Sequence, residues 1–242
     1  MMSNLKLAVV MPAHNEEAQI INCLNATCDV LESNNWNYKI IVVDDGSSDS
    51  TKSLVQNYEN PHVSLILLPS NRGKGFAVKT GVSESGDAQI VAFMDSDLDI
   101  HPDYLNAYAS FVSGDIADLV IGSKNHPLSK VSYPMLRKIL SRLFYFYVKL
   151  LLNTKITDSQ VGLKVMKGDI ARAVFSNLKV EGFAFDLEII TEFQNRGART
   201  LEQPIEINHS WDSRVSPLGA LLAMKEVYQL RKIIKSKLAP RL

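Results

Sequence analysis

The residues with the plainest chemistry are Asp95, Asp97 and Asp99, aspartates that alternate just beyond the apolar run Val91–Met94. Closely spaced carboxylates suit a hard divalent cation, and Mg²⁺ or Mn²⁺ prefers oxygen donors and commonly bridges protein to phosphate. An unbroken apolar run reads as a buried parallel strand, and open α/β sheets bind ligands beyond the carboxyl ends of their strands. Aspartate also suits a helix N-cap, and His101-Pro102 follows. The motif alone therefore leaves a metal site and a capped helix both open.

Polar signatures close three earlier apolar runs in the same way. Pro12, Ala13, His14, Asn15, Glu16 and Glu17 follow Leu7–Met11. Asp44, Asp45, Gly46 and a Ser/Asp string to Thr51 follow Lys39–Val43, and Asn71-Arg72-Gly73-Lys74-Gly75 follows Val63–Leu68. Carboxylates at strand ends can accept hydrogen bonds from a nucleobase or ribose, and a glycine-rich loop with cations suits a diphosphate. Taken singly, the first two segments read first as polar turns with a helix cap. Lys74 lacks the following Ser/Thr of a Walker A loop, and no GxGxxG is present.

The elements needed to position these residues alternate along the front of the chain. Strands are expected at Leu7–Met11, Lys39–Val43, Val63–Leu68, Ala88–Met94 and Asp118–Ile121, with helices at about Asn15–Leu31, Ser50–Tyr58, Phe76–Ser83 and Pro102–Val112. That βαβα rhythm predicts an α/β fold: a mostly parallel central sheet with helices on both faces. Further back, helices are expected at Met135–Leu152, Asp186–Gln194 and Leu218–Lys237, and a strand at Thr200–Ile207. With no repeat or clear linker, residues 1–242 read as one domain, 1–124 forming one half and 125–242 the other.

As an ordered set, MPAHNEE, DDGSSDST, NRGKG and DSDLD closely resemble the family 2 glycosyltransferases of the GT-A fold, whose PxYNEE, DDGSxDxT, NxGKGxA and DxD stand at these strand ends. His14 stands where that group often has Tyr, near the nucleoside. Asp158–Lys164, DSQVGLK, and Glu181–Glu188, EGFAFDLE, are similar to DTQCGFK and EGWAFDVE of dolichyl-phosphate glucosyltransferases, and resemble dolichyl-phosphate mannose synthases less well. The resemblance implies a metal-dependent, inverting transfer of a hexose from a nucleotide sugar to a polyprenyl or dolichyl phosphate. UDP-glucose is the preferred donor, with GDP-mannose as the alternative; a glycan acceptor or a non-catalytic nucleotide-sugar-binding protein are rival readings.

The resemblance further implies that Pro12, Ala13, His14, Glu16, Val43, Asp44, Asp45, Asn71, Lys74, Asp95 and Ser96 bind the nucleotide sugar, and that Asp95, Asp97 and Asp99 hold Mg²⁺ or Mn²⁺. Asp97, Lys124 and Arg214 are the expected catalytic set, since a departing diphosphate needs cations and preorganised donors. Asp158, Gln160 and Asp186 are expected to orient the acceptor, the sugar or basic residues; a helix cap is the other reading of Asp186.

At 242 residues the chain can bury a large core, and its net charge of zero gives no reason to expect nucleic acid. The charge is unevenly spread. Lys124, Lys130, Arg137, Lys138, Arg142, Lys149 and Lys155 occupy a stretch without acids, and after Glu226 only Arg231, Lys232, Lys235, Lys237 and Arg241 are charged. On Met135–Leu152 the basic residues border a broad apolar face, as an interfacial membrane helix requires; a core helix with a solvated basic face is the alternative. No run approaches the ~20 apolar residues of a membrane span and no secretory signal is evident. The expectation is a cytoplasmic protein, peripheral on the cytoplasmic membrane face. Cys23 and Cys28 read as helix packing in a reducing compartment, Trp211 as a loop-edge residue, and the histidines lack zinc-site spacing.

Overall fold

The computed structural model describes residues 5–131, 135–152, 154, 156–182, 184–207 and 217–238. In chain order the elements are β1 (Lys6–Ala13), α1 (Ile20–Ser33), β2 (Asn37–Asp44), α2 (Thr51–Gln56), β3 (Val63–Leu67), α3 (Lys74–Ser83), β4 (Ile90–Met94), α4 (Asp103–Ser113) and β5 (Leu119–Ser123). They continue with α5 (Met135–Leu152), β6 (Leu163–Lys167), α6 (Gly168–Phe175), α7 (Phe185–Asn195), β7 (Thr200–Pro204) and α8 (Pro217–Leu238).

The strands form one seven-stranded sheet in the order β3-β2-β1-β4-β6-β5-β7. All neighbours are parallel except β6, which runs antiparallel to both β4 and β5. The central strands are apolar on both faces because both are covered. On one face α1 and α4 pack Leu24, Leu31, Leu105 and Tyr108 against Val9, Ile40, Ala92 and Val165. On the other, α3, α6 and α7 pack Val78, Phe175 and Ile189 against Val10, Val43, Phe93 and Met166. An outer layer joins α5 and α8 to α7 through Val148, Leu187, Val227 and Leu230.

The expected alternation is present, with two differences. Strand β6 and helix α6 were not anticipated, because Lys164 interrupts the apolar run that would have signalled a buried strand. The first helix begins at Ile20 rather than near Asn15: Asn15 adopts φ +56°, a left-handed conformation that does not continue into a helix.

Strand order has a direct consequence for the site. The carboxyl ends of β1, β2 and β4 share one edge of the sheet, and the reversed β6 brings its amino end there, so the backbone N–H of Asp95 donates to the carbonyl of Gly162 at 3.0 Å. The opposite edge is held by Asp118. Its carboxylate accepts from Arg199 through the backbone N–H at 2.8 Å, Nε at 3.1 Å and Nη2 at 2.9 Å, and pairs with Lys167 at 2.8 Å. That clamp joins the ends of β5, β6 and β7.

The Arg199 hydrogen bond, opposed by burial and reinforced by Lys167, holds the Asp118 carboxyl well below the usual carboxylate range. A depressed carboxyl contributes stability above its unfolded pKa, about 3.9, and loses it as pH falls below that value. Asp118→Asn is expected to lower unfolding free energy by about 1–3 kcal/mol at pH 7, and to flatten the loss of stability below pH ~4. Urea denaturation of both chains across pH 3–7 measures the two effects.

Candidate functional site

An open cleft of about 340 Å³ lies at the carboxyl ends of β1, β2 and β4, lined by Pro12, Ala13, His14, Glu16, Asp45, Asn71, Gly73, Lys74, Ala77, Asp95, Ser96 and Asp97. Four turns from separate strands meet there, and they are laced to one another. The backbone N–H groups of Asn15, Glu16 and Glu17 donate to Ser47, Thr51 and Asp49 side chains at 3.0, 2.8 and 3.1 Å. In return the N–H groups of Ser48 and Ser50 donate to Asn15 and Glu17 at 2.8 Å each. His14 Nδ1 donates to the Asp45 carbonyl at 2.9 Å, which fixes the ring on the cleft wall. Ser96 Oγ donates to the Pro12 carbonyl at 3.0 Å and so ties β4 to β1.

This lacing corrects part of the sequence reading. Asp44 is buried, does not line the cleft, and accepts from Ser47 through both its backbone N–H and its hydroxyl. Asp45 does line it, with one oxygen accepting the Arg72 N–H at 2.7 Å and the other the Gly73 N–H at 2.8 Å. Both carboxylates shape loops before they can read a base. Val43 is fully buried in the core layer shared with α3 and does not line the cleft.

The aspartates of the DSDLD segment do not alternate as a strand would place them. Leu98 adopts φ +59° and turns the chain, and Asp97 Oδ1 accepts the Asp99 N–H at 3.1 Å. Neither do they cap the following helix, whose N-cap is Pro102. Asp95 and Asp97 line the cleft and Asp99 does not, and among the described residues no three His, Cys, Asp or Glu side chains are grouped to hold a metal. Burial, then the neighbouring charge of Asp95, pushes the Asp97 carboxyl upward. Such a self-repelling oxygen pair fits a divalent cation that draws its remaining ligands from phosphate or water, the usual habit of Mg²⁺.

Lys74 forms an ion pair with Asp95 and is about one-third exposed. Burial would lower its ammonium, but Asp95 and Asp186 outweigh that and the net shift is upward. Behind it, Lys164 and Asp186 form a sealed pair at 2.6 Å, and Lys164 Nζ also donates to the Val161 carbonyl at 2.9 Å. Burial presses the Lys164 ammonium down and the Asp186 carboxyl up, each against the attraction of its partner. Lys164 further sits 4.9 Å from the centre of the Phe93 ring. Asp186 is therefore neither a helix cap, that position being Ala184, nor an open sugar contact. Gly162 is required for space: a Cβ there would collide with the Asp95 carboxylate.

Lys124, Asp158 and Gln160 form a neighbouring cluster outside the cleft lining. Asp158 accepts the Lys124 N–H at 2.9 Å and the Gln160 N–H at 3.1 Å, and pairs with Lys124 Nζ at 3.7 Å. Glu202 on β7, which sequence reading missed, receives the N–H groups of Thr157 and Asp158 at 3.0 and 3.2 Å. An acid inside a strand gives no local sign of such a role. Arg214, with Lys155, Phe183, His209, Trp211 and Arg241, lies outside the described residues.

A model of the family described as Glycosyl transferase family 2 matches residues 8–175. The chain is 30% identical over 241 residues to a dolichyl-phosphate beta-glucosyltransferase of Trichomonas vaginalis, across 94% of this chain and 71% of that protein. A dolichyl-phosphate beta-glucosyltransferase of Drosophila melanogaster is 31% identical over 237 residues, covering 91% and 72%. Among solved structures, glucosyl-3-phosphoglycerate synthase of Mycobacterium tuberculosis, in complex with Mn²⁺, UDP and phosphoglyceric acid, superposes with TM-score 0.70 at 18% identity, over 96% of this chain and 78% of that one. Mannosyl-3-phosphoglycerate synthase of Rubrobacter xylanophilus gives 0.74 at 14% identity, over 98% and 77%. At such identities these two likenesses concern the fold, which is the GT-A fold expected from the motifs.

The sealed pair makes a stability test. Lys164→Met leaves Asp186 buried without its counterion, and is expected to cost about 3–5 kcal/mol in urea denaturation. Pairing it with Asp186→Leu is expected to recover most of that loss, because an apolar pair needs no counterion.

Proposed function

Because this chain belongs to glycosyl transferase family 2, and so is a glycosyltransferase, we propose that it moves glucose from UDP-glucose to a dolichyl or other polyprenyl phosphate. The observation that carries this reading is the cleft in which Asp95, Asp97 and Lys74 stand together where β1, β2 and β4 end. The likeness, over more than nine-tenths of the chain, to proteins named dolichyl-phosphate beta-glucosyltransferases supports the choice of sugar and acceptor. In this reading residues 1–124 hold the donor and 125–242 serve the acceptor, within one domain.

Asp95 and Asp97 would hold a divalent ion, Mg²⁺ or Mn²⁺, which would supply positive charge to stabilise a departing diphosphate. Of the residues that line the cleft, we assign Pro12, Ala13, His14, Glu16, Asp45 and Asn71 to the nucleoside and Lys74 to the phosphates. The acceptor phosphate is anionic near neutral pH, so its oxygen attacks the anomeric carbon without a general base. The new carbon–oxygen bond forms as the bond to UDP breaks, and the centre inverts. Lys124, held by Asp158, and Arg214 are the cations we assign to the acceptor phosphate. Asp186, sealed by Lys164, supports this machinery from beneath rather than touching sugar.

We further propose that α5 and α8 rest on the membrane surface that carries the acceptor. Leu143, Phe146 and Leu150 recur along α5 and are 61%, 62% and 81% exposed, and Leu221, Leu222 and Met224 are exposed on α8. Lys149, Lys225, Lys232 and Lys235 are exposed beside them, the composition of a helix lying in an anionic interface. No described helix is long and apolar enough to cross a membrane. Within this reading we assign the cytoplasmic membrane face.

Transfer of radiolabelled glucose from UDP-glucose to a polyprenyl phosphate, with Mn²⁺, tests the reaction. Asp97→Ala is expected to reduce turnover by at least a hundredfold, and chelator to abolish it. Thermal shift should favour UDP-glucose over GDP-mannose, since a ligand that binds only the native state raises Tm; the opposite preference would replace the donor. For the surface, sedimentation with anionic vesicles is expected to recover the wild-type chain and not Phe146→Ser/Lys149→Glu/Leu150→Ser. Equal recovery of both rejects the membrane face.

A further inference from the structure

We propose that Glu226 on α8 is a positioning residue for the donor-phosphate loop, acting through the turn that carries Glu181, Gly182 and Ala184; this rests on the donor reading above. Glu226 is the only acid in α8, a helix otherwise charged by lysine and arginine. It is half-buried, and its Oε2 accepts the backbone N–H of Ala184 at 2.9 Å. Ala184 is the N-cap of α7, so this carboxylate from another helix sits at the positive end of the α7 dipole.

The turn it holds is fitted to it. A Cβ at Gly182 would come within 2.8 Å of Glu226 Cδ and Oε2, so a side chain there would displace the carboxylate from this position. The start of the same turn is tied from within α7, where Glu188 accepts the N–H groups of Lys179 and Val180 at 2.9 and 2.8 Å. Fixed from both sides, the turn meets the phosphate loop. The Glu181 carbonyl accepts the Gly75 N–H at 3.1 Å, and the Glu181 carboxylate pairs with Arg72 at 3.3 Å. A Cβ at Gly75 would lie 2.6 Å from that carbonyl, so Gly75 and the turn can approach only as they do.

Gly75 follows Lys74, whose ammonium reaches Asp95 in the cleft. A continuous chain of contacts thus runs from α8 through Glu226, the turn and Gly75 to the lysine that faces the donor phosphates. On α8, Val227 and Leu230 are buried in the outer core layer and Leu221, Met224 and Tyr228 are exposed, and Glu226 is a polar link to the start of α7. Removing that link frees the turn without touching the cleft itself.

Calorimetric titration of the full chain with UDP and Mn²⁺, without lipid, tests this. Glu226→Ala and Gly182→Ala are each expected to weaken UDP binding by roughly fivefold, and Glu226→Gln, which keeps an acceptor oxygen, by less. The double variant Glu226→Ala/Gly182→Ala is expected to be no weaker than either single, because both cut one tether. A merely structural role would lower Tm and leave UDP affinity below the transition unchanged. Wild-type affinity in Glu226→Ala and Gly182→Ala, or additive losses in the double variant, overturns the proposal. A wild-type chain that binds no UDP overturns the donor reading first, and this inference with it.

Discussion

Negative charge gathers where the sheet opens, and its neutralisation constrains the rest of the structure. The charge of Asp95 adds to burial in raising the carboxyls of both Asp97 and Asp186, and two lysines answer it. Their settings differ. Lys164 and Asp186 are sealed from solvent, where an unpaired charge is strongly disfavoured, so they behave as one fixed part of the core. Lys74 and Asp95 are each about one-third exposed, and an accessible pair can exchange partners at little cost. A rigid inner pair beneath an exchangeable outer pair is a sound base for a site that must receive and release a multiply charged ligand.

The reversed strand β6 is what joins the two. Because it runs against β4 and β5, the segment 158–162 arrives at the carboxyl edge just before the strand begins, and Gly162 can take the Asp95 N–H. Two residues later Lys164 points into the core and carries the Val161 carbonyl and Asp186. A parallel strand in that place would have delivered the opposite end of the segment. The Asp158–Lys124 cluster therefore lies at the same edge of the sheet as the cleft, and Glu202 on the adjoining edge strand steadies it.

Many polar residues of the motifs serve the loops themselves. Asp45 spends its oxygens on Arg72 and Gly73, Asp49 on Glu17 and Thr51, and Asn15 on Ser48. Backbone donors at strand ends have no ladder partner and must find another, and short acidic and hydroxyl side chains supply it. The cleft is thereby preorganised by groups that need not contact a ligand. Glu181 and Ala184 extend that principle outward, the first accepting the Gly75 N–H and the second donating to Glu226 on α8.

The residues alone determined the alternation of strands and helices, the mostly parallel sheet, and the grouping of the four front motifs at one edge. Those features follow from local periodicity and from the rule that strand ends of an α/β sheet form its binding edge. Helix α5 was legible to its boundaries, because eighteen residues without Gly or Pro carry an amphipathic pattern. Only the tertiary structure decided that Asp44 and Val43 face inward, that Asp95 and Asp97 line the cleft while Asp99 does not, and that Lys164 and Asp186 are one buried unit. It alone showed Glu202 and Glu226 as supports, since each acts on residues more than 40 positions away. Side-chain chemistry is written locally, but the direction a carboxylate faces is set by backbone turns such as Leu98 and by which strand the chain lays beside it.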